Sequence, residues 1–195
     1  MINQSMLIGI AVVIFFAGLG IGYAVFQAPS QSTTTTILTD AQTELKKYKI
    51  AERIASEHIK TFDNLDFDVF TNQKWDRLKE SHSQDVIVHW PDGHKTVGIE
   101  RHIADLKTMF TYAPDTRIQE HPVRVASGEW TSVIGVMEGT FTKPMHLPDG
   151  SSIPPTGKPF KLVMCTVGHW KNGVMDEEYL FWDNQTFMKQ IGLGQ

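Results

Sequence analysis

Two long strand-like stretches near the end of the chain are separated by Lys171-Asn172-Gly173. Asn-Gly favours the positive backbone angles of a tight type I′ turn, so the stretches at about 158–171 and 174–182 are expected to form an antiparallel hairpin. Two more strand-like stretches precede them, at about 116–127 and 130–142. The loop Lys143–Gly157 keeps its prolines and glycines outside all four. Such a meander needs a second layer to cover its apolar face.

The first half of the chain supplies that layer. Thr39-Asp40-Ala41-Gln42 has the form of a helix-start box. Leu45, Tyr48, Ala51, Ile54, Ala55, His58, Ile59 and Phe62 then recur at helical spacing. A second helix is expected from near Asp66, burying Phe67, Phe70, Trp75 and Leu78. Asp85–Trp90 alternates like a strand, and Pro91–His94 is a turn. Gly98–Phe110 is a third helix, with Ile99, Ile103, Leu106 and Phe110 on one face. A last helix runs from about Asn184 to Ile191 and stops at Gly192. The expected class is α+β: a strongly curved, cone-shaped antiparallel sheet with the N-terminal helices on its concave face. A sheet closed in this way leaves a conical cavity suited to a small molecule.

The N-terminal residues differ from this pattern. Met6–Phe26 is about 20 apolar residues, long enough to cross a bilayer as a helix. The basic start and small-x-small site of a signal peptide are not clear. Residues 1–28 are therefore expected to be a membrane anchor, with a cleaved signal peptide as the alternative, and 29–38 a polar linker. The small polar N-terminus suggests that the soluble domain, 39–195, lies outside the cytoplasm. Gly18 and Gly22 form a pair that would let two membrane helices approach closely, and are equally compatible with a lone span.

Composition excludes other classes. The formal net charge is -4 and there is no long Lys/Arg run, which argues against nucleic-acid binding. One cysteine, Cys165, permits no internal disulfide and no cysteine-based zinc site.

The order of "PDG", "GIE", "APDTR", "EGTF", "PPTGK" and "QIG" along Ile50–Gly192 resembles the SnoaL-like polyketide cyclases, also called ester cyclases, of the nuclear transport factor 2-like superfamily. The resemblance implies an aldol-type ring closure without metal or organic cofactor, on a small, mostly apolar carbonyl compound. A carboxylate in the cone would remove a proton beside a carbonyl. When the last strand is aligned through "NG" and "QIG", the family's acid/base aspartate falls on Leu180, which cannot transfer a proton.

Another residue must then carry the chemistry, or it is absent. Strand alternation puts Glu178 and Trp182 on the face of Leu180, and Glu177, Tyr179 and Phe181 on the other. Glu178 is the first candidate base. Glu138, among the apolar residues of "VMEGTF", is a second; a wet strand end is its alternative. His89, beside Trp90, could assist from the cone mouth. Trp75, Trp90, Met109, Phe110, Met164, Leu180 and Trp182 are the expected walls. His89, Asp92 and His94 have ligand-like spacing, but the turn between them argues against a metal site. His169 is expected at the rim or surface, His102 and His121 carry no second feature, and Asp183 is read as a helix cap. The other reading of the chain is a binding module that holds an apolar ligand or dimerises through its sheet.

Overall fold

The computed structural model describes residues 31–147 and 149–194, with side chains from residue 36 onward. The expected anchor lies outside the described residues. Among those described, no helix is long and apolar enough to cross a membrane.

Helix α1 spans Gln31–Asn64 and so begins inside the expected linker. Threonines lower helix propensity only modestly, and no Pro or Gly interrupts this stretch. Up to Tyr48 the helix belongs to a separate unit, in which Ile37, Leu38, Leu45 and Tyr48 are exposed. Further along, Ala55, His58, Phe62, Leu65 and Val69 are buried at spacings of three and four. The expected second helix is instead a π-helical turn, Leu65–Phe70, directly continuing α1, and then a separate 3-10 turn, Trp75–Glu80.

Asp68 ties these two turns together, accepting from Lys74 Nζ and Arg77 Nη1 at 2.6 Å each. Those bonds hold its pKa down to about 2. A depressed carboxylate stabilises the fold above its unfolded pKa of roughly 4 and loses that contribution as pH falls through the folded value. Asp68→Asn should therefore be less stable than wild type at pH 7, with the gap closing towards pH 2. Urea midpoints across this range will show it.

Strand β1 (His82–His89) pairs with the short β2 (Lys95–Val97), and α2 (Ile99–Tyr112) follows. The meander is β3 (Arg117–Ser127), β4 (Trp130–Thr140), β7 (Pro159–Lys171) and β8 (Val174–Trp182). Two-residue strands β5 (Met145–His146) and β6 (Ser152–Ile153) lie in the expected loop. The β7–β8 turn has Asn172 and Gly173 at φ 55° and 85°, as a type I′ turn requires. Helix α3 (Asn184–Gln190) starts at Asp183, whose side chain accepts from the backbone N–H of Gln185 and Thr186.

The main sheet has the order β2-β1-β8-β7-β4-β3. It is antiparallel except between β1 and β8, which run parallel, a departure from the all-antiparallel expectation. The chain leaves β1 through α2 and returns through the meander, so β8 arrives beside β1 in the same direction. Val86, Val88, Val133, Trp170, Met175 and Leu180 from the sheet form one core with Phe62, Leu65, Val69, Leu78 and Ile99. A second core gathers Phe70, Phe110, Tyr112, Phe141, Phe160, Phe187 and Ile191.

Gly139 shows how tightly this second core is filled. A Cβ there would lie 2.7 Å from Phe160 Cζ and 3.0 Å from Thr116 Oγ1. Both neighbours are buried, so neither can step aside. Gly139→Ala is expected to cost about 1–3 kcal/mol, read as a lower urea midpoint.

Candidate active site

The inward residues of β8 define the site. Glu178, Leu180 and Trp182 line a cavity of about 230 Å³. Its apolar wall comes from three directions: Leu65 and Phe70 from the π turn, Leu106 and Met109 from α2, and Ile118, Met137 and Met164 from the meander. Trp90, just after β1, meets Trp182 edge to face, with ring centroids 6.3 Å apart.

Glu178 is 4% exposed and opens on this cavity. No lysine or arginine pairs with it among the described residues. Its neighbours are two buried imidazoles: His82 Nε2 lies 3.7 Å from Oε2, and His102 Nε2 lies 3.3 Å from the same oxygen. Burial opposes the carboxylate charge, but His82 and His102 outweigh it and hold the pKa below the ordinary glutamate value. Burial brings His102 down to about 4, so its imidazole is neutral near pH 7. His82 Nδ1 is 2.9 Å from Ser81 Oγ, which donates to the Leu78 carbonyl at 3.1 Å.

Asp66 is a second carboxylate on the cavity, supplied by the π turn. Burial raises its pKa. Behind it, the fully buried His121 side chain is clamped between carboxylates, with Nε2 2.8 Å from Asp66 and Nδ1 2.7 Å from Asp63. Arg124 completes the group by donating to Asp63 at 2.8 Å. Burial opposes the charge on His121, but Asp66 and then Asp63 outweigh it and raise its pKa.

Six residues named from the sequence as site or wall positions line the cavity with Glu178 and its neighbours: Glu178 itself, Trp90, Met109, Met164, Leu180 and Trp182. Four others do not. Trp75 and Phe110 pack on one another and on Phe70, behind the wall. Glu138 stands on the outer face between Arg117 and Lys161, at 3.0 and 3.1 Å, because the inward residues of β4 are the odd-numbered ones. His89 also faces outward. The parallel register sets it beside Tyr179, on which it stacks, and it lies 2.7 Å from Glu177. His94 pairs with Asp92 on the surface, away from His89.

Three site residues escaped the sequence reading. His82 lies before the expected start of β1, which begins three residues earlier than the alternation at Asp85 suggests. His102 was legible in principle: it falls between Ile99 and Leu106, on the apolar face of α2. Asp66 gave no signal, since its inward position depends on the π turn shifting the helical phase.

The family profile of the SnoaL-like polyketide cyclases matches residues 62–191. The chain belongs to this family. No curated protein matches it. Among solved structures, a candidate SnoaL-like polyketide cyclase from Jannaschia sp. CCS1 superposes with a TM-score of 0.63 at 19% identity, covering 73% of this chain and 96% of that one. IdmH from Streptomyces antibioticus, named as a candidate polyketide cyclase, gives 0.60 at 22% identity over 69% and 98%. A ketosteroid isomerase-like protein from Catenulispora acidiphila, solved with trimethylamine, gives 0.55 at 12% over 70% and 92%. At these identities the structural likenesses establish the fold. In this SnoaL-like chain Leu180 lines the cavity, and the acidic side chains there are Glu178, Asp66 and Asp105.

Proposed function

We propose that this SnoaL-like protein is a cyclase- or lyase-type enzyme acting on a small, mostly apolar carbonyl compound by carboxylate acid/base chemistry. The observation that carries the reading is Glu178, a buried carboxylate with no Lys or Arg partner among the described residues, open to an apolar cavity. Glu178 takes the proton from the carbon beside the carbonyl, and the C–H electron pair becomes the enolate. Asp66 is a second carboxyl group on the same cavity, and burial raises its pKa. Family membership supports the reaction class.

The test is deuterium uptake beside the carbonyl in a panel of β-keto esters and diketones in heavy water. Protein-dependent uptake that disappears in Glu178→Gln supports the reading. Uptake that persists in that variant removes Glu178 as the base. No uptake across the panel overturns the enzyme in favour of a binding module.

A second reading has an observation of its own. Val123, Ile134, Cys165 and Phe181 are register partners across β3, β4, β7 and β8, forming one row on the outer face. Val123 and Phe181 are 45% and 53% exposed, and nearby Val163 is 59% exposed. We propose that this face joins two copies of the chain. Phe181→Lys should then convert a dimer to a monomer in light scattering; a wild type already monomeric would refute the contact.

A further inference from the structure

We propose that His82, His102 and Glu178 form a binding site for one divalent transition-metal ion of the zinc class. The first argument is hydrogen placement. Among the described residues, neither His82 Nε2 nor Glu178 Oε2 has a hydrogen-bond partner. In the neutral tautomer that gives Nδ1–H to Ser81, whose own hydroxyl donates to the Leu78 carbonyl, the His82 lone pair is on Nε2 and faces Glu178 Oε2. Two electron-rich atoms facing each other in a site this dry are costly unless something positive joins them.

The second argument is spacing. Separations of 3.3 and 3.7 Å from Oε2 are long for hydrogen bonds. Zinc bonds of roughly 2.0–2.1 Å in tetrahedral geometry put neighbouring ligand atoms roughly 3.3–3.4 Å apart, close to what is seen. The three ligand atoms all lie within 4.8 Å of one another. The third argument is chemistry. Two imidazoles and a carboxylate are a ligand set that zinc accepts, leaving a position for a further ligand. All three residues line the cavity, so that position is available to a small molecule. Ser81, by fixing the His82 tautomer, plays the orienting part that outer hydrogen bonds play at metal sites.

Binding would have a consequence for the reaction. An ion on Oε2 withdraws charge from the whole Glu178 carboxylate, Oε1 included, and leaves it too weak a base, so the metal-loaded form is the inactive one. This consequence rests on Glu178 being the base; the binding itself does not.

The full chain, purified in detergent and stripped with a chelator, is titrated with Zn²⁺ against a chromophoric competitor. One ion per chain is expected. His82→Ala and His102→Ala should each weaken binding more than about 100-fold, and Ser81→Ala by about 10–100-fold. His169→Ala, which removes a surface His–Asp pair, should leave it unchanged. No uptake, or uptake indifferent to the first two substitutions, overturns the site. If those variants do not fold, Co²⁺ added to wild type decides. The strong visible bands of a four- or five-coordinate ion support the site, and the pale spectrum of the hydrated ion refutes it. Zn²⁺ should abolish Glu178-dependent deuterium uptake and a chelator restore it; uptake unaffected by bound Zn²⁺ refutes the inhibition. Zn²⁺ binding without any uptake in the metal-free protein keeps the site and rejects the catalytic reading.

Discussion

Glu178→Gln is expected to lower protein-catalysed deuterium uptake by about 10²–10⁴-fold, the usual range for losing a general base. The amide keeps the shape of the carboxylate but has no basic oxygen of comparable strength. The imidazoles of His82 and His102 favour the Glu178 carboxylate, so the substitution should also lower the melting temperature somewhat. A large loss of rate in a protein that still folds cooperatively is therefore the expected signature. Glu138→Gln gives the contrast. Its carboxylate belongs to a solvent-screened outer-face ion-pair row with Arg117 and Lys161, and uptake should stay at the wild-type rate. If the two variants lost rate equally, the cavity would not be where the proton is taken.

The largest stability effect is expected at His121. Its imidazole is buried between Asp63 and Asp66 and packs on Phe67, with ring centroids 4.4 Å apart. His121→Ala removes the partner of two carboxylates. Breaking a buried pair from one side costs about 3–5 kcal/mol. The lower end is expected here, because Asp63 keeps Arg124 and is partly in water. The pH dependence adds a sign. A histidine whose folded pKa is raised stabilises fully below its unfolded value of about 6.5 and loses that contribution as pH rises through the folded pKa. Urea unfolding from pH 6 to pH 9 should show the gap between wild type and His121→Ala narrowing as pH rises. A constant gap would mean that His121 contributes packing alone.

How legible each part was in the sequence follows from the range of the interaction that sets it. The hairpin at Asn172-Gly173, the cap at Asp183 and the apolar face of α2 depend on neighbours within a few residues, and all three are present. The facing of Glu178, Leu180 and Trp182 follows from alternation once Leu180 is taken as inward, and the bulge in this strand lies earlier, at Asp176. Alternation failed for Glu138 because apolar residues occupy both faces of β4: Val133 and Met137 point into the core, while Ile134 and Val136 point outward. His89 was misplaced because its surroundings depend on the register with β8, which no local pattern encodes. Asp66 and His121 meet across 55 residues, through a π turn, and neither feature leaves a periodic trace.

The parallel join of β1 to β8 has a consequence for the order of events as the polypeptide emerges from the ribosome. Glu178 is made after every other residue of the cluster, and its neighbours His82 and Val88 must wait for it. Contacts of such long sequence separation form slowly and late. A nascent chain synthesised through β7 can pair β3, β4 and β7, but the edges of β1 and β7 that β8 will occupy both remain unpaired, open templates for another chain. Until β8 docks between them, these edges leave the growing protein exposed to mispairing.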